Sequence, residues 1–219
     1  MLPPEEFAAL SERWDALCER VGAFADVAES AMTFELVRTT YENPPRTYHT
    51  LEHVAHCLRV LDRVRMLADH AEAIEFALWL HDAVFIAERH DNEARSADFA
   101  GMIAGLLGCD PFFIEEVRTL VMITKHDSCP IGGDAALVAD IDLAILGAEP
   151  ERYEQYRRQI RNEFVFADDE QYRQGRVAAL HKLLDRDHVY TTPNLQGVLE
   201  QPALENLDRE HADLLHPDA

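Results

Sequence analysis

The sequence is short of basic residues. Its 219 residues include 20 Lys and Arg against 41 Asp and Glu, which gives a formal net charge of −21 with neutral histidines. A surface of this charge repels polyphosphate backbones, and no basic residues cluster into a stripe, so duplex nucleic acid is not an expected partner. Small anionic substrates remain compatible with it, because exposed charges more than about 8 Å away are largely screened.

Long apolar runs and paired cysteines are also missing. No uncharged stretch approaches the roughly 18 apolar residues of a membrane-spanning helix, and the first residues lack the basic start and apolar run of a signal peptide. The four cysteines show no Cys-x-x-Cys spacing. We therefore expect a soluble, cytoplasmic protein without membrane contact, whose cysteines are reduced and structural.

Strand signals are scarce, whereas helical periodicity runs through most of the chain. There is no sustained polar and apolar alternation and no Asn-Gly or Asp-Gly turn. The sequence predicts an all-α fold, one domain over residues 1–190 and a loosely packed, acidic C-terminal extension over residues 191–219. The predicted helices span about residues 4–20, 25–41, 49–68, 71–86, 92–108, 111–126, 135–147, 150–166 and 169–186.

Three histidines fall close together in the third predicted helix. His49, His53 and His56 can share one helix face, because residues three or four apart are neighbours on a helix. A metal site could use this face. An exposed helix that happens to be rich in histidine is the alternative, and this segment alone favours it.

A His-Asp pair interrupts the next apolar segment. The run Phe76–Leu80 is typical of a buried helix, and it passes directly into His81 and Asp82. A buried carboxylate is costly unless it meets a cation, a metal ion or a dense set of hydrogen bonds. The pair therefore indicates either a metal site or a hydrogen bond within the pair or to a neighbouring helix.

Two aspartates interrupt a later apolar helix in the same way. Asp142 adjoins the apolar face of this helix and is the better ligand candidate, whereas Asp140 lies nearer the predicted helix start and could serve as a cap or dipole partner. Two imidazoles and two carboxylates suit a divalent ion such as Mn, Fe, Co, Ni, Mg or Zn. The lack of paired thiolates argues against a structural zinc site.

The order of these groups resembles the HD-domain superfamily of metal-dependent phosphohydrolases, which is named after its His-Asp pair. The resemblance spans residues 46–147 and implies an HD-type helical bundle. Within the superfamily, the chain is similar to a bacterial group of predicted metal-dependent phosphohydrolases. The segments that carry the likeness are Arg46–Val54, Trp79–Phe85, Asn92–Ala97, Thr124–His126 and Asp140–Gly147, with further likeness at Tyr153, Tyr156, Arg161 and Glu163.

The resemblance implies a role for each matching residue. The four metal ligands of the superfamily match His53, His81, Asp82 and Asp142. His49 resembles the proton-donating histidine of cyclic-nucleotide phosphodiesterases, one predicted helical turn before the ligand His53.

The residues beside these motifs have expected roles of their own. We expect Arg46, Lys125 and His126 to bind the phosphate of the substrate, with a second metal ion as the alternative ligand of His126. Glu93 is expected to assist catalysis by orienting a ligand imidazole, a role that Glu52 and Asp127 could share.

The activity that follows is hydrolysis of a small phosphoester, such as a nucleotide or another phosphate monoester, by metal-activated water. The chain departs from guanosine-tetraphosphate hydrolases, because Ala-Val-Phe-Ile follows Asp82 where those enzymes have a Glu-Asp pair. Two alternatives remain open. One is a di-iron oxygenase, for which His56, His90 and His126 are the candidate extra ligands, and the other is a metal-binding regulatory module without turnover.

Overall fold

The computed structural model describes residues 2–22, 26–44 and 46–216, and within these ranges the chain is helical and has no strand. The prediction of an all-α fold is confirmed. No helix among these residues has the length and apolar character needed to cross a membrane. The α-helices are α1 (Pro4–Val21), α2 (Val27–Tyr41), α3 (Leu51–Val64), α4 (Ala71–Leu80), α5 (Asn92–Leu106), α6 (Pro111–Ile123), α7 (Gly133–Asp142), α8 (Pro150–Glu163), α9 (Asp169–Leu184) and α10 (Pro193–Leu215), with 3₁₀ turns at Arg65–Leu67 and Leu143–Gly147.

The larger hydrophobic core lies mainly among α1 to α7. Trp14 of α1 is fully buried, with its ring centroid 5.3 Å from that of Trp79 and 5.5 Å from that of Phe76. Its indole Nε1 donates a hydrogen bond to Thr33 Oγ1 on α2 at 3.1 Å. These contacts fix α1 and α2 against α4, the helix that leads into the His-Asp pair.

A second hydrophobic core joins α8, α9 and α10 to the 3₁₀ turn after α7. Its fully buried side chains include Leu180 of α9 and Leu207 of α10. Asn206 of α10 donates from Nδ2 to the backbone carbonyls of Leu146 at 2.9 Å and Ala148 at 2.8 Å. The expectation of a loosely packed extension from Thr191 onward is therefore wrong.

Buried polar residues explain why the sequence did not indicate α10. Its buried face includes Asn206 and Glu210, which break the apolar stripe expected of a packed helix. The Glu210 carboxylate accepts from Arg176 Nε at 2.8 Å, Arg176 Nη2 at 3.0 Å and Tyr153 Oη at 2.5 Å. This network holds α8, α9 and α10 together.

Several predicted helices are shorter than expected, and two of these differences, in α3 and α4, affect the candidate site directly. The sequence predicts that α3 begins at residue 49, but the helix begins at Leu51. Its N-cap is Thr50, whose hydroxyl accepts a hydrogen bond from the amide of Glu52 at 3.3 Å. Predicted to reach residue 86, α4 ends at Leu80. His49 and the His81-Asp82 pair therefore lie in turns at helix ends rather than within helices.

Arg46 explains why the chain leaves the helix after Leu80. Its guanidinium donates to the backbone carbonyls of Asp82 at 2.6 Å, Ala83 at 2.9 Å and His49 at 3.1 Å. These bonds satisfy carbonyls that a longer helix would use internally. Arg46 thus ties the turn before α3 to the turn after α4.

Candidate metal centre

Two buried imidazoles form the base of the site. His53 lies in the first turn of α3 and His81 directly after α4, and they are 2% and 1% exposed. Their Nε2 atoms are 3.0 Å apart. The backbone carbonyl of Leu78 lies 3.0 Å from His81 Nδ1, which directs the opposite ring nitrogen toward His53.

Two carboxylates complete the set that the sequence predicts. Asp142 Oδ1 lies 3.1 Å from His53 Nε2 and 3.3 Å from His81 Nε2. Asp82 Oδ2 lies 3.0 Å from His81 Nε2 and 3.6 Å from His53 Nε2. Donor atoms bound at about 2.0–2.2 Å to one ion lie about 2.8–3.6 Å apart in octahedral or tetrahedral geometry. The imidazole–imidazole and imidazole–carboxylate distances among these four side chains lie in this range.

Charge at the site is unbalanced without a cation. Burial lowers the pKa of His53, which favours the neutral imidazole that a metal ion requires. Burial opposes the ionisation of Asp142 and Asp82, but the surrounding histidines, with His81 the largest contributor, together outweigh it, and the pKa of each carboxyl is lowered. Two ionised carboxylates thus converge on two imidazoles, and a proton on His81 or a metal ion supplies the positive charge.

Cys57 adds a ligand candidate that the sequence interpretation missed. Its Sγ lies 3.7 Å from His53 Nε2, and one ligand atom each from His53, Cys57, His81 and Asp142 lies within 4.8 Å of the others. This cluster could hold a metal ion. Burial raises the pKa of the Cys57 thiol well above its usual value, and the thiol donates to the carbonyl of Ile141. Its position four residues after His53 was the available sequence signal.

His126 lies on the other side of Asp142. Its Nε2 is 2.8 Å from Asp142 Oδ2, while Asp142 Oδ1 faces His53 and His81. The backbone of His126 has a positive φ of 55°, and Arg186 Nη2 donates to its carbonyl at 2.9 Å. This turn places the imidazole beside the candidate centre, and its role as a phosphate or second-metal ligand stays a prediction.

The two other candidate extra histidines do not join the centre. His90 is exposed on the segment before α5. His56 lines a separate cavity with Glu52, Arg59 and Arg152. Burial, followed by the charge of His53, lowers the pKa of His56 to about 4.

His49 lies at the edge of the centre, where Glu163 holds it. Its Nδ1 is 2.6 Å from Glu163 Oε2, and its ring stacks on Phe85 with centroids 4.1 Å apart. The centroids of the His49 and His53 rings are 6.1 Å apart. Burial lowers the pKa of His49, but the carboxylates of Asp82 and Glu163 outweigh it, so the pKa is raised.

Glu163 reaches this position from the end of α8. Its Oε1 accepts backbone amides of Thr47 at 2.7 Å, Tyr48 at 2.7 Å and His49 at 3.0 Å. The carboxylate is therefore fully engaged, with one oxygen on the backbone and one on the imidazole of His49. The sequence marked Glu163 as part of the family likeness but gave it no role.

The remaining predicted residues lie around the centre with different partners. Lys125 is exposed and its Nζ is 2.6 Å from Asp127 Oδ2. The hydrogen bond to Asp127 raises the pKa of Lys125, and the charge of Glu93, in the first turn of α5, adds to this effect. Arg46 is bound to backbone carbonyls, as described above. The substrate-binding and catalytic roles of these residues stay predictions.

Asp140 has a structural role that differs from the predicted one. Its carboxylate does not cap its own helix, because it lies near the end of α7 rather than near its start. It accepts the backbone amides of Thr191 at 3.0 Å and Thr192 at 2.6 Å, directly before α10. Asp142, not Asp140, faces the candidate metal centre.

The chain matches no protein family model, and comparison with the curated proteins and with the solved structures also gives no match. The function must therefore be inferred from the side chains that the fold brings together.

Proposed function

We propose that the chain is an HD-type, metal-dependent phosphohydrolase that cleaves a phosphoester of a small molecule. The observation that carries this proposal is that a carboxylate oxygen of Asp82 and one of Asp142 each lie within 3.6 Å of Nε2 of both His53 and His81, beside a histidine held by a buried carboxylate. A divalent ion bound by these side chains would supply a Lewis acid for the phosphoryl oxygen and a water of lowered pKa.

In this proposal His49 protonates the departing oxygen of the substrate. Because Nδ1 faces Glu163, the Nε2–H is the group available to donate a proton. The stacked ring of Phe85 and the three backbone bonds of Glu163 limit the orientations of the imidazole. His49 thus provides general-acid catalysis, an effect worth about 10²–10⁴ in rate.

Basic side chains near the centre would favour a phosphate at this position despite the acidic surface of the whole chain. His126 lies against Asp142, Lys125 precedes it in sequence, and Arg46 lies beneath the His81-Asp82 turn. A small substrate can approach these groups, whereas a long polyanion also meets the repulsion of the remaining surface. This favours a small phosphate ester as the substrate.

The test combines metal analysis of the purified protein with phosphate release from nucleotides, sugar phosphates and nucleoside pyrophosphates. We expect His81→Ala and Asp82→Ala to lose both metal and activity. His49→Gln should keep the metal and lose turnover, most of all with poor leaving groups. His90→Gln, on an exposed segment, is the control and should behave as the wild type. Full activity and metal in His81→Ala would contradict the proposal.

A di-iron oxygenase is the second candidate, because Asp142 presents one oxygen to His53 and His81 and the other to His126. A carboxylate in this position could bridge two ions. Visible and EPR spectra of the protein isolated with its native metal would distinguish this function from phosphoester hydrolysis. Intact metal with no turnover on the whole panel would instead favour a binding module.

A further inference from the structure

A second cluster of metal-ligating side chains lies away from the candidate metal centre. His70 directly precedes α4, Glu116 lies on α6 and Asp134 lies in the first turn of α7. One ligand atom from each of the three lies within 4.8 Å of the other two. The cluster therefore brings together one nitrogen and two oxygen donors from three separate segments.

The hydrogen bonds of the cluster hold these side chains in place. Asp134 Oδ1 accepts the amide of Asp69 and Oδ2 accepts the amide of His70, each at 2.8 Å. His70 Nδ1 is hydrogen-bonded to Glu116 Oε1. Carboxylate oxygens have further lone pairs beyond these bonds, so both acids can still bind an ion.

The electrostatics of the cluster favour a cation. The hydrogen bond to Glu116 raises the pKa of His70, and the charges of Asp134 and Asp69 add to this effect. A bound metal ion would replace the proton that these carboxylates favour, because a metal ligand must be a neutral imidazole. Three carboxylates thus surround one imidazole. One imidazole nitrogen with two carboxylate oxygens suits a divalent first-row ion such as Zn²⁺. The side chains of His70 and Glu116 are 64% and 32% exposed, so an ion can reach them from solvent.

We propose that His70, Glu116 and Asp134 form a second divalent-metal site, which ties the starts of α4 and α7 to α6. Both α4 and α7 begin at this cluster and, ten residues and about 15 Å later, end at the candidate metal centre with His81 and Asp142. An ion bound at this site stabilises the positions of the two helices that lead to these side chains. The site requires no turnover and does not depend on the proposed function.

The experiment counts zinc ions per chain by equilibrium dialysis and elemental analysis. We expect the wild type to bind one more zinc ion than His70→Gln or Glu116→Gln. Zinc should also raise the melting temperature of the wild type more than that of either variant. Circular dichroism of each variant without zinc checks that its helices are retained.

Two matched variants serve as controls. His90→Gln removes an exposed histidine elsewhere, and Glu115→Gln removes the neighbouring, 78% exposed carboxylate on α6. Both should bind as many zinc ions as the wild type. Equal zinc content in the wild type, His70→Gln and Glu116→Gln would overturn the proposal. His81→Gln reports separately on the candidate metal centre, so failure of one site is distinguishable from failure of the other.

Discussion

The carboxylate of Glu163 makes four hydrogen bonds beside the candidate centre. It is fully buried, and it binds three successive backbone amides and the imidazole of His49. Burial raises its own pKa, but the hydrogen bond and charge of His49 together with the backbone amides outweigh burial, so the pKa is lowered. In the proposed function Glu163 is therefore a positioning residue, which would act on the substrate only through His49.

We expect Glu163→Gln to lower kcat about 10- to 100-fold while the metal content stays unchanged. The amide keeps an oxygen for the backbone but removes the charge that raises the pKa of His49. A general acid works only below its pKa, so the alkaline limb of the kcat profile should move to lower pH. Glu154→Gln, a position on the same helix whose side chain is 47% exposed, is the control. An unshifted pH profile in Glu163→Gln would contradict this role.

We propose Asp82 rather than Cys57 as the fourth ligand of the candidate centre. Asp82 Oδ2 lies 3.0 Å from His81 Nε2, whereas burial keeps the Cys57 thiol protonated and bonded to Ile141. We expect Cys57→Ala to retain metal and Asp82→Asn to lose it. A sulfur-to-metal charge-transfer band in the cobalt-substituted wild type, absent from Cys57→Ala, would instead assign Cys57 as the ligand.

The ligand candidates could be predicted from sequence because each polar group interrupts an apolar segment. His81, Asp82 and Asp142 stand out locally against residues that pack into the core. Glu163 could not be given a role, because its partners lie 114 to 116 positions earlier in the chain. The role of Asp140 could not be predicted either, because its hydrogen-bond partners, Thr191 and Thr192, lie far along the chain.

At the scale of elements, the helices were predictable and their ends were not. Helical periodicity indicated α1 to α9, but Arg46 and Ser96 bind the backbone after α4 and stop the helix at Leu80. Such side-chain contacts arise from tertiary structure and leave no periodic signal. The same limitation hid α10, whose buried face includes Asn206 and Glu210.

The packing of α10 is tested by paired substitutions on that helix. Leu207 is fully buried, whereas Leu215 is 45% exposed. We expect Leu207→Ala to lower the free energy of unfolding by about 2–5 kcal/mol, since the cavity adds to the lost burial. Leu215→Ala should change it by about 0.5 kcal/mol or less. Equal, small effects in urea denaturation would mean that α10 is not part of the core.

The buried carboxylate of Glu210 makes a separate, pH-dependent contribution. Burial raises its pKa, but the hydrogen bonds and charges of Arg176, Tyr153 and Arg157 together outweigh burial, and the net pKa is lowered from 4.5. A lowered carboxyl pKa stabilises the fold above the unfolded value, and this stability is lost as pH falls through the folded pKa. Acidification below about pH 4 should therefore weaken the attachment of α10.

We expect Glu210→Gln to lower the free energy of unfolding by about 3 kcal/mol near neutral pH, because it leaves the buried Arg176 without its counter-charge. The variant should also lose part of the dependence of stability on acidic pH. Glu205→Gln, at an exposed position of α10, is the control. If the free energy of unfolding of Glu210→Gln and of the wild type varied with pH in the same way, this role would be contradicted.

At the scale of the whole molecule, the chain has a formal net charge of −21, whereas its candidate centre is proposed to bind a cation and a phosphate. We expect kcat/KM for a multiply charged nucleotide to rise with ionic strength, because salt screens the repulsion of the acidic surface. A singly charged phosphodiester should respond less. A fall of kcat/KM with salt for the nucleotide would show that the cations near the centre dominate its approach.

The most direct test is anomalous diffraction from crystals grown with Mn²⁺ or Zn²⁺. We expect an anomalous peak within about 2.0–2.3 Å of His53 Nε2, His81 Nε2, Asp82 Oδ2 and Asp142 Oδ1. The peak should be absent from crystals of His81→Ala grown in the same way. Saturating metal with no peak at these four side chains, and with His53 and His81 still hydrogen-bonded to each other, would contradict a metal centre.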